Sequence, residues 1–124
     1  MKTFLKLTAL FEALTGLALI FVPKLVILLL FEVTLDGFGG QIAGMIAGAA
    51  ILSIAIICWL MKEVESAIFV VKTLLFYNIS IVAIVLYSII NYGVKGPGIY
   101  LIVGFHTIFS IWSLLLFLKK SETV

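Results

Sequence analysis

Glu12 in LTALFEALTG and His106 in LIVGFHTIFS each interrupt an otherwise apolar run. A carboxylate and an imidazole inside hydrocarbon hold or pass a proton, bind a polar ligand, or satisfy each other, because an unpaired polar group there costs several kcal/mol. Helical spacing says which neighbours share their faces. Thr8, Glu12, Thr15 and Gly16 form one stripe. His106, Ser110 and Ser113 form another, with Thr107 beside it. A third run places Thr73, Tyr77, Ser80, Tyr87 and Asn91 on a stripe, with Asn78 displaced to its edge. All three polar sides are expected to face inward. At about 1.5 Å per residue, Glu12 lies about 12 Å, Asn78 about 16 Å and His106 about 18 Å from the ends of their helices on one side. The expected site is therefore a buried cluster of Glu12, His106 and Asn78, with Tyr77, Thr15 and Ser110 as outer members. Glu12 and His106 are expected to pair directly or through water.

Several chemistries are excluded by the inventory. One histidine and one cysteine, Cys58, far apart along the chain, make neither a hydrolytic pair nor a metal site of normal ligand number. No disulfide or C-x-x-C pair can form within the chain, and Cys58 reads as a buried structural thiol. A haem would need His106 alone or paired across a dimer, so no cofactor is expected. No basic stripe is interleaved with stacking aromatics, which removes nucleic acid as a partner. The chain is not expected to be an enzyme.

The elements that must position these residues follow from composition. Of 124 residues, 65% are hydrophobic and 11% charged, far from the composition of a soluble domain. A bilayer core of about 30 Å needs about 20 largely apolar residues per helix. Four such runs cover 4–22, 39–61, 67–92 and 99–118. The predicted fold is an all-α, polytopic membrane protein, one domain over 1–124, with four transmembrane helices in an up-down bundle. The first run carries Lys2 and Lys6 ahead of it as a leader would. It continues past leader length into FVPK without a small-x-small cleavage site, and Glu12 interrupts it, so it reads as a span. Between the first two spans, residues 25–33 are too short to cross. They predict a short interfacial helix, opened by Pro23 and ended by Glu32, Asp36 and the glycines at 37, 39 and 40. Its role is an anchor at the interface or a lid over the bundle. In GGQIAGMIAGAA, Gly40, Gly44 and Gly48 recur every four residues, a smooth face for close helix approach. That face packs within the chain or, in a homo-oligomer or with a membrane-protein partner, between chains.

All eight basic residues are lysines. The N-terminal end, the 62–66 turn and the C-terminal tail carry Lys2, Lys6, Lys62, Lys119 and Lys120, with Lys72 able to snorkel toward them, whereas the opposite side has only Lys24 and Lys95. Both termini are therefore expected in the cytoplasm, in a multi-pass protein of the inner membrane.

The succession FEALTGLALIFVP, GGQIAGMIAGAA, CW, LLFYN and GFHTIFSIW resembles small four-helix bacterial integral membrane proteins in the neighbourhood of the DoxX-like proteins, over nearly the whole chain. The resemblance implies a four-helix fold and an uncharacterised role; DoxX relatives are associated with thiosulfate and quinone redox systems, although no residue here maps onto a quinone site. LFEALTG is also similar to the first helix of small multidrug resistance transporters, which would make Glu12 a proton-coupling carboxylate. The long apolar segment after the first helix, the absence of a strong glycine motif in the fourth, and His106 all depart from that pattern. The expected function is a non-enzymatic membrane component that binds a small molecule or proton in the central cluster. A proton-coupled solute transporter and a quinone-holding accessory protein are the alternatives.

Overall fold

The computed structural model describes residues 1–121. Lys120, part of the lysine asymmetry above, lies outside the residues whose side chains are described. The chain is helical almost throughout: α1 Lys2–Phe21, α2 Pro23–Phe31, α3 Gly37–Met61, α4 Ile68–Tyr92 and α5 Pro97–Ser121. A single 3-10 turn, Glu65–Ala67, leads into α4. α1, α3, α4 and α5 are long and apolar enough to cross a membrane. Their 20 to 25 residues correspond to about 30–38 Å of helix. Leu14, Ile46, Ile90 and Leu101 stand on outer faces, each more than half exposed. An outer surface so apolar belongs against lipid rather than water.

Local chemistry fixes the breaks. Val22 leaves the helical region at φ −137°, and Pro23 follows as the first residue of α2, where its missing N–H and fixed φ are no handicap. α2 ends at Glu32, whose left-handed φ of 53° turns the chain while its N–H donates to the Leu28 carbonyl. α4 ends on Gly93 at φ 62°, the left-handed cap that glycine adopts without steric cost.

Two helix hairpins make the bundle. α1 lies closely on α3, and α4 on α5, with α2 laid across α1, α3 and α5. One end is marked by the 2.7 Å ion pair between Lys2 and Glu63, which brings the start of α1 to the α3–α4 turn. There Lys62 sits 3.9 Å over the Trp59 ring, an arrangement suited to a membrane interface. At the other end α2 docks onto the start of α5. A Cβ at Gly98 would lie 2.5 Å from Leu30 Cα, and one at Gly96 would lie 2.5 Å from the Leu30 carbonyl oxygen. Only glycine lets the two backbones approach so closely.

The glycine face of α3 is occupied by its own chain. A Cβ on Gly48 would lie 2.7 Å from the Gly16 carbonyl oxygen and 2.8 Å from Leu19 Cβ. A Cβ on Gly16 would lie 2.8 Å from the Gly48 oxygen. Gly44 faces Pro23, and Gly40 faces the Leu35 side chain. This contact is van der Waals packing between backbones, the attraction that remains when lipid removes the hydrophobic drive.

The interior is not uniform along the bundle. Toward the Lys2–Glu63 end it is solid, with Phe4, Leu5, Ala9, Cys58, Ala67, Val71, Leu74 and Phe109 packed together. Beyond this plug comes a polar layer, and beyond that a cavity beneath α2.

Candidate functional site

Five buried polar side chains come from α1, α4 and α5, each from a distinct register; Thr8 and Ser113 bond the Phe4 and Phe109 carbonyls within the plug, and Glu12, Asn78 and His106 make the layer beyond it. On α1, Thr8 and Glu12 are buried, Glu12 to 2% exposure, so the stripe read from the sequence does face inward. On α5, His106 is 6% exposed and Ser113 fully buried, again on the stripe expected. α4 is different. Its buried face is Val71, Leu74, Asn78 and Val85, which puts Asn78 at its centre and the expected stripe at its flank or outside. Thr73 is exposed, Tyr87 is 56% exposed and Asn91 faces outward. The reason is local. Thr73 Oγ1 donates to the Phe69 carbonyl (3.1 Å), Ser80 Oγ to Phe76 (2.8 Å) and Asn91 Nδ2 to Tyr87 (3.0 Å). A polar side chain that bonds the carbonyl four residues back needs no partner from another helix, so it can face lipid.

Two hydrogen bonds join the hairpins or their members. The Tyr77 hydroxyl donates to Glu12 Oε2 across α4 and α1 at 3.3 Å. His106 Nδ1 and Asn78 Oδ1 lie 2.7 Å apart across α5 and α4. Asn78 Nδ2 donates to its own helix at the Leu74 carbonyl, 2.6 Å away. Of the two pairings expected from the sequence, direct or through water, Glu12 and His106 do not form the direct one; no hydrogen bond or ion pair links them among the described residues. Each has taken a partner on α4 instead, and Tyr77 bridges the space between, its ring centroid 5.7 Å from that of His106. Thr15 donates to the Phe11 carbonyl and lines the cavity. Ser110 donates to the His106 carbonyl at 2.8 Å and takes no place in the cavity wall. Of the six expected cluster residues, Glu12, Tyr77, His106 and Thr15 thus face one cavity, while Asn78 stands behind His106.

Aromatic rings that the polarity pattern did not single out hold this layer in place. Phe11 of α1 stacks on Phe105 of α5 at 3.5 Å between centroids, and Phe105 stacks on Phe109 at 4.0 Å. The His106 ring stands edge-on to Phe11, Tyr77 and Phe105. Large flat side chains span the distance between α1 and α5 that the glycines close between α1 and α3.

The cavity has a volume of about 520 Å³, within the size range of small-molecule sites. Its polar end is Glu12, Tyr77, His106 and Thr15, and its walls are aliphatic, including Ile51, Ile81 and Val85. Val26, Ile27, Leu30 and Phe31 of α2 form its roof. Of the two roles read for 25–33 from the sequence, interfacial anchor or lid, this position is that of a lid; a further signal lies in the glycines at 96 and 98, which permit the close approach of α2 to α5. Leu14, Ile84 and Leu101 belong to the lining and also stand on outer faces of the bundle, so the cavity opens sideways toward lipid. A second recess of about 390 Å³ between α1 and α3, lined by Ala9, Ala13, Leu52, Trp59 and other apolar residues, contains no polar side chain. Among the described residues no group of three His, Cys, Asp or Glu side chains converges as a metal site would. Searches of protein-family models, curated proteins and solved structures return no match to this chain.

Proposed function

We propose that the chain is a non-enzymatic component of the bacterial inner membrane that binds a lipid-soluble small molecule in the cavity between its two helix hairpins. The observation that carries this reading is the construction of the cavity: aliphatic walls, one polar end at Glu12, Tyr77 and His106, and a lateral opening toward lipid. An apolar chamber with a few convergent polar groups suits an elongated apolar ligand carrying one polar head. The solid plug at the Lys2–Glu63 end favours entry from the bilayer. Lys2, Lys6, Lys62 and Lys119 against Lys24 and Lys95 support an orientation with both termini in the cytoplasm, which puts α2 and the cavity in the outer half of the bilayer.

Native mass spectrometry of protein released from its own membranes in mild detergent tests this reading. The wild type is expected to carry a discrete apolar adduct. The variant Ala18→Phe, which fills the cavity from its lining, is expected to lose it. A wild type that carries no adduct and takes up no added long-chain alcohol, amine or ether overturns the reading.

One observation favours a second reading, proton-coupled transport. Glu12 is a buried carboxylate at mid-helix facing a ligand-sized space, and such residues serve as coupling sites. In proteoliposomes with a pH gradient, Glu12→Gln is expected to abolish gradient-driven movement of a solute that the wild type carries. Unchanged movement removes Glu12 from that role.

A further inference from the structure

Resting on the reading of the cavity as a ligand site, the geometry points to a ligand whose polar head is a hydrogen-bond donor, an alcohol or amine, received by Nε2 of His106, with Asn78 the positioning residue that sets this polarity.

The argument starts at the Leu74 carbonyl, which can only accept. The Asn78 atom 2.6 Å from it must therefore be the amide nitrogen, which leaves Oδ1 toward His106. Oδ1 also only accepts, so His106 Nδ1, 2.7 Å away, must carry the proton and donate. A neutral imidazole with its proton on Nδ1 has a bare lone pair on Nε2. A cationic ring would stand in hydrocarbon with no carboxylate within ion-pair distance among the described residues. His106 lines the cavity and Asn78 does not. Nδ1 is thus turned to the wall, and Nε2, on the other side of the ring, toward the cavity. It has no partner among the described residues, where no fully buried polar side-chain atom is left without one, so its remaining exposure is to the cavity that His106 lines.

The remaining groups fit the same head. The Tyr77 hydroxyl proton is directed to Glu12 Oε2, and the Thr15 hydroxyl proton to the Phe11 carbonyl. Each of these oxygens keeps a lone pair for the cavity. Glu12 Oε1 has no partner among the described residues; ionised, it accepts a further hydrogen bond from an amine N–H, and protonated, it donates one to the oxygen of an alcohol. An alcohol or amine thus satisfies His106 in either state of Glu12. An ether, ester or oxidised quinone carries acceptors only and leaves Nε2 facing a lone pair. A buried acceptor left unpaired is the costly case.

Binding of a long-chain primary alcohol and of its methyl ether, which differ in the donor alone, is compared on wild-type protein in detergent. The alcohol is expected to bind about tenfold more tightly. Because the chain has one histidine, nitrogen-15 NMR of histidine-labelled protein reads this residue alone. It is expected to show protonated Nδ1 and bare Nε2, with the Nε2 resonance moving when the alcohol binds and not when the ether binds. In Asn78→Leu the ring is free to change tautomer, and the alcohol preference is expected to collapse; should that variant not fold, both wild-type measurements still decide. Equal binding of alcohol and ether, or a proton on Nε2, overturns this inference while the cavity remains a ligand site. Binding of neither overturns both.

Discussion

The seam between α1 and α3 and the seam between α1 and the α4–α5 hairpin solve the same problem in opposite ways. In the first, Gly16 and Gly48 bring two backbones so close that neither position has room for a methyl group. In the second, Phe11 stacks on Phe105 and Phe4 lies against Phe109, rings that hold the helices apart, and Tyr77–Glu12 is a single hydrogen bond across the gap, while Asn78–His106 ties α4 to α5 beside it. Small residues close the seam around Gly16 and Gly48, and the recess left between α1 and α3 is wholly apolar. Large rings bridge the other seam at a few points, and the gap between those points, roofed by α2, is the cavity. Within lipid a bundle cannot rely on hydrophobic collapse, so the choice between small and large residues along a seam decides where space remains.

The largest effect is expected from breaking the close seam. Gly48→Val sets side-chain atoms against the Gly16 carbonyl and Leu19 Cβ, neither of which can swing away. It should cost about 3 kcal/mol or more, measured as a fall in resistance to unfolding in mixed detergent and denaturant micelles. A cost within about 0.5 kcal/mol would show that the helices do not need this approach.

On α4, beside the open seam, the expected effects are smaller. Asn78→Leu removes the partner of a buried imidazole and should cost about 1–2 kcal/mol by the same measurement. The lipid-facing Thr73→Val, which deletes a hydroxyl bonded within its own helix, should stay within about 0.5 kcal/mol. Equal costs for the two would contradict the assignment of the α4 faces.

The smallest effect is expected at the Lys2–Glu63 bridge, outside both seams. The hydrogen bond from Lys2, with the nearby charges of Lys6 and Lys62, holds the Glu63 carboxyl below its ordinary range. A carboxyl whose folded pKa is depressed contributes stability above its unfolded pKa and loses it as pH falls through the folded value. Wild type should therefore exceed Glu63→Gln slightly at about pH 7 and match it at about pH 2. An exposed pair is screened by water, so high salt should erase the difference.

How far the site could be read in advance depended on the kind of side chain. Glu12 and His106 were legible because charge and imidazole are expensive in lipid and must turn inward. Thr73, Ser80 and Asn91 misled because a carbonyl one turn back satisfies them in place, so their periodicity carries no direction. With that face discounted, Asn78 at the edge of the stripe becomes the centre of the buried face. The pairing within the layer was not legible either. Glu12 and His106 were expected to find each other, yet each met a side chain of α4 first, and which rotamer reaches which partner depends on helix rotation to within a few ångströms.

Composition, run length and the cost of polar groups in hydrocarbon determined from sequence alone that this chain is an all-α membrane protein of four spans with a short extra helix. These are properties of single segments in their solvent. Only the tertiary structure decided that the glycine face closes on α1, that α2 roofs a cavity, and that Asn78 orients His106. Those outcomes depend on the relative rotation and separation of helices distant in sequence, which packing between them sets and no single segment encodes.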